Sequence, residues 1–105
     1  MNILECDDNH LRQLIFEKEK VIVKFIDETC PICQRLAPTF TKLASQPLYS
    51  DVTFVRMHAS QNPVSSKEVK QKGTPFFATY LNGTLQECGL LSSEEEIKQL
   101  LQRLN

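Results

Sequence analysis

The chain has 105 residues, 41% of them hydrophobic, with 12 basic side chains against 13 acidic ones and a formal charge of −1. That supports one modest core and one domain over residues 1–105, and the balanced charge, with no long run of either sign, gives no electrostatic footprint for nucleic acid or an anionic membrane. No apolar run approaches the roughly 18 residues of a membrane span, and residues 1–6 lack a basic segment followed by an apolar one, so the expectation is a cytoplasmic protein.

Residues 2–6 form a short expected strand, after which Asp7, Asp8 and Asn9 offer N-cap side chains for a helix carrying Leu11, Leu14 and Ile15 on one face. Residues 21–27 are a nearly continuous run of β-formers, the pattern of a central strand covered on both faces, and Lys24 in its middle is an anomaly. From Cys30 the period turns helical: Ile32, Leu36, Phe40 and Leu43 recur, with Pro31 tolerated in the first turn. Pro38 lies inside that helix, where a missing donor and a clash with the preceding turn predict a kink, and Gln46-Pro47 predict its end soon after Ser45. A strand over 52–57 follows, then Ser60-Gln61-Asn62-Pro63 opens a weakly amphipathic helix from 64 to about 71.

Gly73-Thr74-Pro75 turns into a strand over 76–81, which the two-residue hairpin signal Asn82-Gly83 joins to an antiparallel strand over 84–88. Ser92 with Glu95, or Ser93 with Glu96, makes a capping box ahead of the apolar stripe Ile97, Leu100, Leu101 and Leu104. The order β-α-β-α-β-α-β-β-α predicts an α/β domain, a central mixed sheet of about five strands with helices on both faces.

The chemistry centres on Thr29-Cys30-Pro31-Ile32-Cys33. Two cysteines with two residues between them can close a small disulfide ring. A strand feeding a helix puts the first thiol at a helix N-terminus, where unpaired N–H groups and the helix dipole favour a thiolate. A C-x-x-C beside a β-α-β pattern, in a chain with no signal sequence, reads as a redox motif. Neither a second C-x-x-C nor a paired-histidine motif completes four zinc ligands, so no metal and no cofactor are expected. Phe25, Phe40, Phe54, Phe76 and Phe77 read as core, and His10 and His58 as surface or satisfied histidines.

Taken together, the strand, the Cys-Pro-Ile-Cys helix, the later Thr-Pro strand, the Asn-Gly hairpin and the terminal helix resemble a thioredoxin-fold protein of nearly minimal length, over almost the whole chain. The resemblance implies four helices around the sheet, with Cys30 as the attacking cysteine, Cys33 as the resolving one and Pro38 as the helix-kinking proline. It further implies that Pro75 is a cis-proline facing the active site and that Gly83 and Gly89 are the glycines of the last hairpin. Gln61-Asn62-Pro63 also occurs in thioredoxins. Thr29, Pro31, Ile32, Thr74, Pro75 and Gly89 are then the expected substrate-binding rim. Cys6 and Cys88 fall on opposite edges of the resembled sheet and are read as unbridged.

The departures concern electrostatics. Thioredoxins carry Trp-Cys-Gly-Pro-Cys, whereas Thr29 stands here for the tryptophan and Pro31-Ile32 for the inner pair. The family's buried aspartate, six residues before the first cysteine, falls on Lys24, and the lysine near it falls on Arg56. On a partly exposed strand Lys24 is merely solvated. Buried beneath the dithiol, a neutral Lys24 could take a proton from Cys33, while a charged Lys24, helped by Arg56, would stabilise thiolate and make the protein more oxidising.

The function implied is a thiol-disulfide oxidoreductase, a monomer serving electron transport and cell redox homeostasis, with protein disulfides as substrates and a reductase or other thiol donor as partner. Two alternatives stay open. Cys-Pro-Ile-Cys also resembles the Cys-Pro-x-Cys of glutathione-coupled glutaredoxins, against which stand the extra N-terminal strand and helix and the lack of a Gly-Gly pair after the last strand. The other is a thioredoxin-fold binding module with little catalytic turnover, suggested by the lost tryptophan and aspartate.

Overall fold

The computed structural model describes residues 3–104; Met1, Asn2 and Asn105 lie outside them, and with Asn2 the expected start of the first strand. Five strands, β1 (Ile3–Glu5), β2 (Lys20–Ile26), β3 (Val52–His58), β4 (Phe76–Leu81) and β5 (Thr84–Leu90), form one sheet in the order β1-β3-β2-β4-β5. Strands β1 and β2 run parallel to β3, whereas β4 is antiparallel to both β2 and β5. Around the sheet lie α1 (Asp8–Glu17), α2 (Pro31–Ala44), α3 (Pro63–Glu68) and α4 (Glu94–Leu104), with short 3-10 turns at Pro47–Tyr49 and Ala59–Gln61. The expected thioredoxin fold, element by element, is what the chain forms.

Strand β2 is central, and its two alternating sets of side chains enter different cores. Val21, Val23 and Phe25 join Leu11, Val55, Met57, Val69, Phe76, Ala78 and Tyr80 on one face. On the other, Ile22 meets Leu36, Phe40 and Leu43 of α2 and Ile97, Leu100, Leu101 and Leu104 of α4, with Phe54 and Phe77 between them. The Phe40 ring packs on Phe54 at 5.1 Å and edge-on to Phe77 at 5.9 Å between centroids. Burial on both sides is why the sequence here is a nearly continuous apolar run, broken at Lys24, rather than an alternating one.

Turn and cap chemistry closes the elements. Asn82 and Gly83 both have positive φ, 52° and 83°, the pairing a tight hairpin between twisted strands demands. At the start of α4 the Ser93–Glu96 box forms: the Glu96 N–H donates to Ser93 Oγ at 3.3 Å, while the Glu96 carboxylate accepts from the Ser92 N–H at 3.0 Å. Helix α2 runs through Pro38 as one element of 14 residues.

Some boundaries differ from expectation. Helix α3 ends at Glu68, not near residue 71, because Lys70 adopts φ 54° and the N–H groups of Lys70 and Gln71 turn back to the carbonyls of Lys67 and Ser66. That is a Schellman stop, usually marked by glycine but built here on a lysine. Strand β5 continues to Leu90, since Gly89 and Leu90 keep pairing with Phe77 and Phe76, and β3 includes His58, paired with Ile26.

Candidate active site

Strand β2 delivers the chain through Asp27, Glu28 and Thr29 to Cys30, which is the N-cap residue of α2 in extended conformation, with Pro31 at the first helical position. Cys30 and Cys33 are joined by a disulfide, their Cα atoms 5.2 Å apart. In the place where a serine or aspartate oxygen would cap a helix stands the Cys30 sulfur, which accepts the Cys33 N–H at 3.1 Å. The same donor and the positive end of α2 would favour a thiolate on Cys30 once the bond is reduced. Both cysteines are more than nine-tenths buried, whereas Thr29 and Pro31 are exposed and Ile32 lies half-buried against the α2–α4 core.

The Thr74–Pro75 bond is cis. Pro75 precedes Phe76, which pairs with Phe25 near the end of β2, so Thr74 and Pro75 sit at the edge of the sheet from which the chain leaves for Cys30. Gly89 and Leu90 of β5 pair with Phe77 and Phe76 at that same edge, and a Cβ on Gly73 would touch Leu90 at 3.4 Å. The sequence-expected rim is therefore gathered at one end of the sheet.

Lys24 is not solvated. Only one per cent of it is exposed, its Nζ lies 5.0 Å from the centroid of the Phe40 ring, and burial, then the Arg56 guanidinium, push its pKa down to about 8. A cleft of about 240 Å³ opens beside it, lined by Lys24, Cys33, Arg56 and His58 among others, with Asp27 and Glu28 on its exposed side. Arg56 pairs with Glu5 through Nη2, yet its buried Nε has no hydrogen-bond partner among the described residues. Sequence reasoning left His58 out of the site; its position two residues after Arg56 on β3 was the available signal, since side chains two apart share a face. A larger cleft, about 540 Å³ between α1, α3 and the hairpin, holds neither cysteine.

The sequence pattern that defines the Thioredoxin family matches residues 2–104. The chain belongs to the thioredoxin family. Thioredoxin-3, mitochondrial, of Saccharomyces cerevisiae is 31% identical over 74 residues, covering 70% of this chain and 57% of that one. Thioredoxin 1 of Plasmodium falciparum is 26% identical over 90 residues, covering 86% and 85%. In three dimensions the crystal structure of oxidised mitochondrial thioredoxin 3 from S. cerevisiae superposes with a TM-score of 0.87 at 24% identity, over 96% of this chain and 94% of that one. Family membership and a disulfide-bonded C-x-x-C at the start of α2 make this chain a thiol-disulfide oxidoreductase.

The remaining cysteines stand apart from this thioredoxin site. Cys6 follows β1 and Cys88 lies on β5, opposite edges of the sheet, and both are thiols. Cys88 is exposed on its edge strand, its Sγ donating to the Val69 carbonyl at 3.4 Å. Among the described residues no group of three or more potential metal ligands is clustered.

Proposed function

We propose that the protein exchanges its dithiol with protein disulfides, Cys30 attacking and Cys33 resolving, and that it works further toward the oxidant side than thioredoxins with a buried aspartate. The observation that carries the roles is the Cys30 sulfur at the N-cap of α2, held by the Cys33 N–H. Cys30 thiolate displaces one substrate sulfur and forms a mixed disulfide. Cys33 then attacks Cys30, closing the intramolecular disulfide and releasing the second substrate sulfur as thiolate, so two electrons pass from dithiol to substrate.

Magnitudes identify the step that benefits. Lowering a thiol pKa from about 8.5 to about 7 raises its thiolate fraction near neutrality about fifteenfold, while the fall in nucleophilicity takes back about fivefold. A tethered resolving thiol acts at effective molarities of up to about 10⁵ M or beyond. Holding Cys33 one turn into α2 thus contributes more than activating Cys30.

The oxidant bias is supported by Lys24 and Arg56. A lysine with a pKa of about 8 is about nine-tenths charged at pH 7, and cations beside the dithiol favour thiolate and so the reduced form. Thr29, Pro31, Ile32, Thr74, Pro75 and Gly89 are the proposed contacts for an extended substrate segment. Strand β1 and helix α1 support the thioredoxin reading over a glutaredoxin-like one. A cytoplasmic monomer recharged by a reductase or other thiol donor completes the proposal.

The test is a trap. Cys33→Ser protein incubated with disulfide-bearing substrate proteins should accumulate mixed disulfides through Cys30, released by dithiothreitol. A passive binding module would instead give the same non-covalent complexes as wild type.

A further inference from the structure

We propose that Cys33 is held as a thiolate by Lys24 and Arg56 whenever Cys30 is engaged with substrate, so the resolving sulfur needs no general base. This deepens the exchange reaction proposed above and rests on it. In a protein with a carboxylate behind the dithiol, the resolving thiol must give up a proton during the step. Here the groups behind Cys33 already carry the charge that makes the proton leave beforehand.

The geometry is specific to Cys33. Cys30 caps α2 and draws on the helix end, whereas Cys33 lies one turn further in and lines the same cleft as Lys24 and Arg56. Lys24 is one per cent exposed and rests over the Phe40 ring, with no carboxylate paired to it among the described residues. Arg56 uses Nη2 on Glu5, leaving its buried Nε without a hydrogen-bond partner among the described residues. Lys24 is enclosed with no carboxylate of its own among the described residues, and Arg56 opposite it meets only the exposed Glu5, an unfavourable arrangement in the disulfide form that a sulfur anion at position 33 would relieve.

The other charged groups around the cleft do not supply that anion. Asp27 and Glu28, between β2 and α2, are exposed, so water screens them, and Glu5 reaches Arg56 from the β1 side. His58 on β3 and Gln34 on α2 complete the polar lining. In the fully reduced protein the two sulfurs titrate as a coupled pair. In the mixed disulfide Cys30 carries no charge, so Cys33 no longer shares Lys24 and Arg56 with a second thiolate.

The step then balances simply. The Cys33 proton has already gone to solvent and Lys24 keeps its own. The sulfur anion attacks Cys30, the Cys30–Cys33 bond forms as the Cys30–substrate bond breaks, and the electron pair departs on the substrate sulfur, which takes a proton from water.

Cys30→Ser protein isolates the ionisation of Cys33. With ¹³Cβ-labelled cysteine, NMR titration follows Cys33 separately from Cys6 and Cys88. The expected midpoint lies below about 7, at least about 1.5 units under the ordinary value of about 8.5, so that most of Cys33 is thiolate at neutral pH, because an opposite charge nearby lowers a pKa by about 1 to 3 units. Lys24→Met should move it up at least tenfold in equilibrium constant, Arg56→Gln should move it the same way, and Arg56→Lys should largely restore it. A Cys33 midpoint at or above about 7, or one that stays in place in Lys24→Met and Arg56→Gln, overturns the inference. The trapping experiment above reads only Cys30, so a protein that traps substrate while Cys33 titrates normally retains the proposed function and loses this inference alone.

Discussion

Lys24 and Arg56 stand directly opposite one another on the parallel neighbours β2 and β3. Adjacent strands are about 4.8 Å apart, and like charges directly opposed across a strand pair are destabilising. The arrangement persists because each side chain has an outlet: the Lys24 ammonium rests over the Phe40 ring beside the cleft, and the Arg56 guanidinium reaches Glu5 on β1. The depressed pKa of Lys24 follows from burial first and from Arg56 second.

The redox potential should depend on the charge at position 24. Reversing it in Lys24→Asp replaces a group that stabilises thiolate with one that opposes it, so the reduced form loses ground. Each tenfold change in that equilibrium is about 30 mV, and thioredoxin itself lies near about −270 mV. Wild type equilibrated with glutathione buffers should settle above that value, and Lys24→Asp at least about 30 mV below wild type. A wild-type potential near the thioredoxin value, unchanged by the substitution, would remove the two cations from the account.

Stability of the oxidised protein should rise with pH in the window set by Lys24. Its pKa falls from 10.5 to about 8 on folding, so between those values the unfolded chain binds more protons than the folded one. Unfolding free energy therefore increases as pH goes from about 8 to about 10.5, by up to about 3 kcal/mol at about 1.36 kcal/mol per pH unit. Lys24→Met keeps the length and loses the charge. Urea melts should find this variant more stable than wild type at pH 7 and the difference shrinking toward pH 10. A wild type whose stability is flat across that range, with no gain in Lys24→Met, contradicts the burial of an unpaired ammonium.

The fold was legible because its signals are local and mutually consistent. The apolar run of β2, the helical period after Cys30, Asn82-Gly83 and the Ser93–Glu96 box each specify their element from neighbouring residues alone. The cysteine pair was legible for the same reason. Whether Lys24 is buried was not, since a lysine in an apolar strand is compatible with a solvated edge, and what decides is α2 lying across that face with Phe40 beneath the ammonium. The end of α3 escaped for a different reason: Lys70 takes a left-handed conformation that sequence patterns assign to glycine. His58 joined the cleft only through its register on β3.

A long-range cap gives the last prediction. Helix α3 receives no side-chain bond from its own N-cap residue, Asn62. Instead the Asp8 carboxylate, at the start of α1, accepts the N–H groups of Ser65 at 2.8 Å and Val64 at 3.2 Å. Asn62 is turned to other work, accepting the Asp8 N–H at 3.0 Å and donating to the His58 carbonyl at 2.9 Å. Burial pushes the Asp8 pKa up, but the bonds from Ser65 and Val64 outweigh it and hold the carboxyl below its ordinary value. The folded carboxyl thus binds fewer protons than the unfolded one just below pH 4, so its contribution is complete above the ordinary carboxylate pKa and is lost as pH falls through the depressed one. Asp8→Ala should cost about 0.5 to 2 kcal/mol at pH 7, the range for losing an N-cap, with Asp8→Asn losing less because an amide oxygen still accepts. Denaturant melts at pH 7 and pH 3 should show the gap between wild type and Asp8→Ala narrowing in acid. A gap absent at pH 7, or as wide at pH 3, would mean that α3 is held by its packing and not by Asp8.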